Sequence, residues 1–502
     1  MTRQNIGFVL GLFLFFLLLI LPPAEGLSRE GQNAAAVTLL MACWWISEAI
    51  PICATAFVPL FLFPVLGVLD AKGVAANFGH YFVVMLLCAL IIAKAIENNH
   101  LHKRIALSIM KKIGVSRRRI VLSCMLSTAG LSMWLSNLAV TLMMLPIGMA
   151  LLKRVGDSDE EADAKFSTAL MLGVAYSASI GGVGTLVGTP PNLVFAGVLK
   201  NLFPEAPEVS FFQWMMFGVP LVAVFLPLCF FYLIGYFKVS GNLPGSKETV
   251  AEELAALGKM TVAEKRTAAV CLLTVFGWVF RKDLPIGDVT IPGWASLTGL
   301  GSMVNDATVA AMGMLLLFII PSGRKPKEGE SFSPRLMDWH SASQVPWGII
   351  MIIAGGYCIA SGFTATGLTE WIGDKLGFIG ALPVVAIILL VVAMLSFLTE
   401  INSNTATSNI FLPILATMAV AGVMHPLLLM IPGAVACSCA FMLPPGTGPN
   451  SVVFASGKIS MPVMAKCGFF LNVMAILLVT VVMYVIAVPV FDITNNLPAW
   501  AK

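Results

Sequence analysis

Ser403-Asn404-Thr405-Ala406-Thr407 reads SNTAT and stands inside an apolar region that runs on to Leu412-Pro413-Ile414. Small and polar residues in succession are costly at membrane depth, because lipid offers their backbone and hydroxyl groups no hydrogen-bond partner. Such a stretch is tolerated where it lines a cavity or binds something. An imperfect copy occurs earlier in the chain. Ser136 to Ile147 reads SNLAVTLMMLPI, and Ser403 to Ile414 reads SNTATSNIFLPI. A polar tip used once in each half is how many secondary transporters build a single site at the bilayer midplane.

The sequence around the two tips has a membrane composition. Of 502 residues 58% are hydrophobic and 11% charged, with a mean hydropathy of +0.91; a soluble domain is about half apolar and about a quarter charged. The apolar runs are punctuated by Gly and Pro and lack the alternation of an outer-membrane barrel. The expected fold is therefore an all-α polytopic membrane protein, with about 11 transmembrane helices of roughly 20 residues and two re-entrant hairpins in two inverted-topology repeats. Cysteines such as Cys43, Cys88, Cys229 and Cys271 lie within apolar runs and read as small hydrophobes. Cys437 and Cys439 have no nearby His, which argues against a metal centre there. The chain has five His and carries no HExxH, P-loop or dinucleotide fingerprint. ATP-driven transport, nucleic-acid binding and enzymatic activity are therefore not expected.

Spans are expected at 6–23, 33–50, 52–69 and Tyr81 to Glu97. Asn98 to Arg119 then reads as a basic amphipathic surface helix, with Leu101, Ile105, Ile109 and Ile113 at four-residue spacing. Arg117-Arg118-Arg119 precede the first tip and Lys153-Arg154 follow it, so residues 120–152 enter the membrane and return on the same side. A span at 167–199 is interrupted by Gly181-Gly182-Val183-Gly184 and Gly188-Thr189-Pro190-Pro191-Asn192. Further spans are expected at 211–237, 267–280, 307–320 and 347–366, with a polar linker at 238–266 and a surface segment at 336–344. The second hairpin occupies 379–420 and enters from the opposite face. A span at 427–456 is broken at Leu443 to Asn450, and 464–490 closes the membrane part. This threading puts most of the 30 Lys and Arg on the side of the N-terminus. By the positive-inside rule that side is cytoplasmic, with the C-terminus outside a bacterial-type inner membrane. The expected division is 1–119 and 211–345 as scaffold, with 120–210 and 346–502 as the transport unit.

The unit [ST]-x-x-x-S-N … G-T-x-P-N occurs twice. Ser132 precedes Ser136-Asn137 and Thr399 precedes Ser403-Asn404. Gly188-Thr189-Pro190-Pro191-Asn192 matches Gly446-Thr447-Gly448-Pro449-Asn450. Helix ends at a tip expose free N–H groups and a positive dipole end, which suit a carboxylate or another oxyanion. Asn amides and Ser or Thr hydroxyls add neutral donors, and unwound carbonyls beside them suit Na⁺. Neither tip contains Arg or Lys, so a multiply charged anion calls for cations bound beside it. Glu400, next to the second tip, reads either as a proton-coupling carboxylate or as the anchor of a backbone turn, the structural role being favoured, and Trp134, near the first, as packing rather than a substrate platform.

These residues resemble the divalent anion/sodium symporters, carriers of di- and tricarboxylates. The resemblance rests on AIENNHLHKRIAL, ASIGGVGTLVGTPPN, FLTEINSNTATSNIFLPI and CAFMLPPGTGPN together with the first Ser-Asn tip, and extends over nearly the whole chain. It implies a homodimer in lipid, an elevator motion of the transport unit against a scaffold, and two or more Na⁺ ions. It implies one sodium site from Ser132, Ser136, Asn137 and Gly188, and a second from Thr399, Ser403, Asn404 and Gly446. It implies substrate contact by Ser136, Asn137, Ser403, Asn404, Thr405 and Thr447, with Thr189 the first-half counterpart of Thr447. The implied activity is Na⁺-coupled import of C4-dicarboxylates such as succinate, malate and fumarate. Sodium-independent exchange is the alternative, followed by transport of sulfate or another oxyanion. Two positions depart from the family pattern: Leu138 stands where a Thr is usual, and Gly448 where many members have Pro.

Overall fold

The computed structural model describes residues 2–113, 116–152, 160–243, 245–286, 289–323, 334–376, 382–494 and 496–501. The first part of the chain forms α1 (Arg3–Ile20), α2 (Arg29–Ser47), α3 (Ile52–Thr55), α4 (Val58–Val65), α5 (Ala71–Phe78), α6 (Tyr81–Asn98) and α7 (Leu101–Ile113). The single span expected at 52–69 is instead two short helices, α3 and α4. Pro51 and Pro59 supply the reason, since each removes a backbone donor and favours a helix start. Arg117–Arg119 do not extend the basic helix; they open the first hairpin, capped by Ser116, whose hydroxyl accepts from Arg119 N at 3.3 Å. On α7 the face turned to the protein is Leu101, Ala106, Leu107 and Met110, while Ile105 of the expected stripe is exposed.

The first hairpin is α8 (Arg117–Ser132) and α9 (Asn137–Leu152), with its tip at Met133–Ser136. The expected broken span follows as α10 (Glu160–Gly182) and α11 (Pro190–Leu202). Then come α12 (Phe211–Tyr236), α13 (Ser246–Ala256) within the polar linker, and α14 (Val262–Val279). Strands β1 (Leu284–Ile286) and β2 (Val289–Ile291) pair antiparallel, so the fold is not purely helical as expected from sequence. Three-residue strands carry too little periodicity to read against helix in a sequence. Next are α15 (Trp294–Leu297), α16 (Asp306–Ile319), α17 (Trp339–Ala342), α18 (Trp347–Ala365) and α19 (Leu368–Leu376). The second hairpin is α20 (Val384–Leu398) and α21 (Asn404–Ala421), followed by α22 (Leu427–Ala436), α23 (Gly448–Ala455), α24 (Met461–Val482) and α25 (Val488–Val490). The second break begins at Cys437, earlier than the Pro-Pro-Gly signal suggested. Among the described residues, five helical stretches, Arg3–Ile20, Ala71–Asn98, Phe211–Tyr236, Trp347–Ala365 and Met461–Val490, are long and apolar enough to cross a membrane. Lys153, Arg154, Arg324, Lys325 and Lys327, used in the charge reading, lie outside the described residues.

The hairpins enter from opposite ends of the bundle. α6 leaves one end beside α18, where Asn77 Oδ1 accepts from Ser361 Oγ at 2.9 Å. It reaches the other end at α7, whose Arg104 donates to Glu264 at the start of α14. The first hairpin begins at this second end, where Arg118 Nε donates to Val239 O at 2.7 Å. The second hairpin follows α19 at the first end, where Trp371 Nε1 donates to Glu25 O and Ser28 Oγ to Thr366 O.

The two halves interlock. α11, from the first half, packs on α21 of the second hairpin; α23, from the second half, packs on α9 of the first. The backbones approach closely where glycine allows it. A Cβ on Gly181 would lie 2.3 Å from Ala129 O, and one on Gly188 would lie 2.4 Å from Gly182 O. In lipid such contacts replace the hydrophobic drive that holds soluble helices together.

Candidate binding site between the hairpin tips

Four helices begin at the centre of this interlock: α9 after Ser136, α11 after Thr189, α21 after Ser403 and α23 after Thr447. All four preceding residues line one cavity of about 390 Å³, within the range of small-molecule sites. Asn137, Asn404, Thr405, Gly188 and Gly446 line it as well. Each helix start presents backbone N–H groups without intrahelical partners and about half a positive charge. The hydroxyls of Thr189 and Ser403 do not cap their own helices; Thr189 Oγ1 lies 3.5 Å from Ser438 Oγ, whereas Thr447 Oγ1 accepts from Asn450 N at 3.3 Å.

Behind each tip lies a small oxygen cluster, repeated in both halves. Ser132 Oγ is 2.5 Å from Asn137 Oδ1 and 2.8 Å from Ala178 O. Thr399 Oγ1 is 2.7 Å from Asn404 Oδ1 and 3.0 Å from Cys437 O. A hydroxyl has one proton, so it cannot donate to both neighbours at once. Each hydroxyl therefore serves only one of its two oxygen neighbours at a time. At the first, Asn137 Oδ1 faces only acceptors; its amide nitrogen, turned inward, would reach Ala178 O, Ser132 Oγ and Gly188 O at 3.2, 2.5 and 3.3 Å. A hard cation among these oxygens would satisfy both clusters equally well, so the donor set fits Na⁺. Ser132 and Thr399 are fully buried and do not reach the cavity. Among the described residues, no group of three or more His, Cys, Asp or Glu is placed to hold a metal.

The motif asparagines hold the two breaks open. Asn192 Nδ2 donates to Thr185 O at 2.7 Å, and Asn450 Nδ2 to Ala440 O and Leu443 O at 3.0 and 3.1 Å. Sequence reasoning included both residues in the repeated unit but gave them no role. Glu400 anchors the second break, as expected. Its carboxylate accepts from the backbone of Phe441, Met442 and Leu443 and from Asn472 Nδ2, at 2.7–3.1 Å. Trp134 stacks on Phe211 and also faces the cavity, so it is more than internal packing.

One cation was missed. Arg3, at the start of α1, lines the cavity together with Glu48, and its guanidinium donates to Ile46 O and, at 3.1 Å, to Ile401 O beside the second tip. No local pattern links residue 3 to residue 401; only the packing of α1 along α2 brings it there.

Comparison with known proteins agrees with this architecture. A family model for the sodium:sulfate symporter transmembrane region matches residues 2–491. The sodium-dependent dicarboxylate transporter SdcS of Staphylococcus saprophyticus is 41% identical over 504 aligned residues, covering 99% of this chain and 94% of that protein. The protein of the same name from Staphylococcus aureus strain MRSA252 is 38% identical with the same coverage. Among solved structures, MtrF of Neisseria gonorrhoeae aligns with a TM-score of 0.60 at 14% identity, covering 97% of this chain and 96% of MtrF. The YdaH transporter of Alcanivorax borkumensis aligns with a TM-score of 0.55 at 14% identity, covering 92% and 100%. At such identity the two structures speak for the fold alone.

Proposed function

The chain belongs to the sodium:sulfate symporter family, and from that premise we propose that it imports C4-dicarboxylates together with Na⁺ across the plasma membrane. The observation that carries this reading is the shared cavity, where four helix starts meet, with an oxygen cluster behind each tip. The relatives named as sodium-dependent dicarboxylate transporters supply the substrate class.

In this reading Asn137 and Asn404 each serve two ligands. The amide oxygen turns toward the Ser132 or Thr399 cluster and helps hold a sodium ion, with Ser136, Ser403 and the backbone at Gly188 and Gly446 completing the two sites. The amide nitrogen then points into the cavity and donates to a substrate carboxylate, alongside Ser136, Thr189, Ser403, Thr405 and Thr447. Two or more bound Na⁺ offset the charge of the dianion. Cargo crosses by an elevator motion in which the two hairpins and two broken helices move as one body against the scaffold. The interlock of α11 with α21 and of α23 with α9 supports a single moving body. A homodimer supplies the fixed frame.

The test is uptake of labelled succinate, malate, fumarate, citrate, tartrate and sulfate into proteoliposomes, with and without a Na⁺ gradient. Saturable, Na⁺-driven succinate uptake that is lost in Asn404→Ala is expected. Exchange indifferent to Na⁺ would instead make the protein an antiporter, and uptake surviving Asn404→Ala would remove the site.

A further inference from the structure

The two halves can be laid over each other residue by residue, and two of the places where the cavity wall breaks their symmetry belong together. Leu138 in the first tip takes the place of Thr405 in the second, and Gly448 in the second break takes the place of Pro190 in the first. These two positions, far apart in sequence, touch. A Cβ built on Gly448 would lie 3.1 Å from Leu138 Cδ1 and 3.4 Å from its Cβ. The leucine thus rests on the first residue of α23 in the space that a side chain at 448 would claim. It is still 43% exposed and lines the cavity. The second tip thus brings the Thr405 hydroxyl to the cavity, and the equivalent position of the first tip brings an isobutyl group.

We propose that Leu138, seated on Gly448, is a specificity-determining residue that selects C4-dicarboxylates able to turn an unsubstituted carbon toward it. The inference rests on the dicarboxylate reading of this cavity. A hydroxyl pressed against the leucine gives up its bonds to water and finds no partner. Succinate and fumarate carry no hydroxyl and meet no such penalty. Malate has one hydroxyl and can turn it toward Thr405, the counterpart of Leu138 in the second tip. Tartrate has a hydroxyl on each central carbon, so whichever way it lies one of them faces Leu138. Succinate and malate are therefore carried well and tartrate poorly. A hydroxyl set against an apolar wall is discriminated by up to ~100-fold; partial exposure of Leu138 puts the expected succinate-to-tartrate ratio of kcat/KM nearer tenfold.

Leu138→Thr supplies the missing hydroxyl and should lower that ratio several-fold, chiefly by improving tartrate. Uptake of both substrates is measured in one vesicle preparation, so the amount of folded protein cancels from the ratio. Where Leu138→Thr does not transport, the same ratio is read from succinate- and tartrate-induced thermal shifts of the purified protein. The contact itself is tested by Gly448→Val, whose branched side chain claims the space beside Leu138 and should impair succinate uptake, and by Leu138→Ala in the same chain, which should restore it. A ratio unchanged by Leu138→Thr, or no rescue in the double variant, would overturn the inference while leaving the dicarboxylate reading intact. A wild-type protein that carries none of these acids would remove that reading first.

Discussion

Replacing Glu400 by Gln separates two roles a carboxylate can play at membrane depth. In the wild type, Oε1 accepts from Phe441 N at 2.7 Å, Met442 N at 2.9 Å and Asn472 Nδ2 at 2.7 Å, and Oε2 from Leu443 N at 2.9 Å. Glutamine has one acceptor atom. If its oxygen takes the Oε1 position, its NH2 group points at the Leu443 N–H, and one buried donor is stranded on each side. Leaving a buried donor unsatisfied costs about 1–3 kcal/mol, and the bonds that survive lose their charge assistance, which is roughly half their strength. Together these give about 2–4 kcal/mol, concentrated on the segment that carries Gly446 and Thr447. Even 1.4 kcal/mol of that loss felt at the site is a factor of ten in affinity. Glu400→Gln should therefore melt earlier in detergent and raise the KM for succinate about tenfold or more, with the pH dependence of uptake unchanged. A variant as stable as the wild type whose uptake no longer responds to pH would mean that Glu400 carries a proton and is not an anchor.

The two motif asparagines should behave alike because their bonds are equivalent. Asn192→Ala and Asn450→Ala each strip the break of its side-chain donors, at about 1–3 kcal/mol, so each should lower the melting temperature and reduce succinate uptake; a silent substitution at either would refute the clamp. Arg3 stands exposed at the cavity lining, where a cation concentrates anions at low ionic strength. Arg3→Gln should raise the succinate KM in low salt, and the difference should shrink once added choline chloride brings the Debye length to ~3 Å; a salt-independent change would point to its bonds with Ile46 and Ile401 instead.

The sequence made the paired elements legible because their signals are local. A Ser-Asn step inside an apolar run and a Gly-Thr-x-Pro-Asn step inside a span each violate the rules of a plain membrane helix, so the tips at 133–136 and 399–403 and both breaks could be read directly. Helices with clean ends, such as α12 and α18, fell within a residue of expectation. The misreadings have non-local causes. Cys437 begins the second break, although nothing in the Cys-Ser-Cys run stops a helix. It unwinds there because Glu400, distant in sequence, offers its oxygens to the N–H groups of 441–443. The position of Arg3 follows from helix packing, and the contact of Leu138 with Gly448 joins residues from different halves. Side-chain partners contributed by another element leave no periodic trace in the sequence.

The duplication also bears on why an anion site without Arg or Lys at its tips should be tied to sodium. Helix starts carry fractional charge that is fixed by the backbone, so they attract an anion in every state and by themselves link it to nothing. Linkage needs an interaction that is stronger when both ligands are present. An asparagine at the first turn of each tip helix provides one, because its amide has an acceptor end and a donor end held rigidly together. When Oδ1 is engaged by a cation, Nδ2 is left facing the cavity. In the proposed site, an Asn137 amide turned the other way puts its nitrogen 3.2 Å from Ala178 O, and the substrate would lose a donor. An aspartate could hold the ion but would repel the anion, and a lysine could hold the anion but would repel the ion. In the proposed site a neutral amide, present once in each half, would serve both ligands.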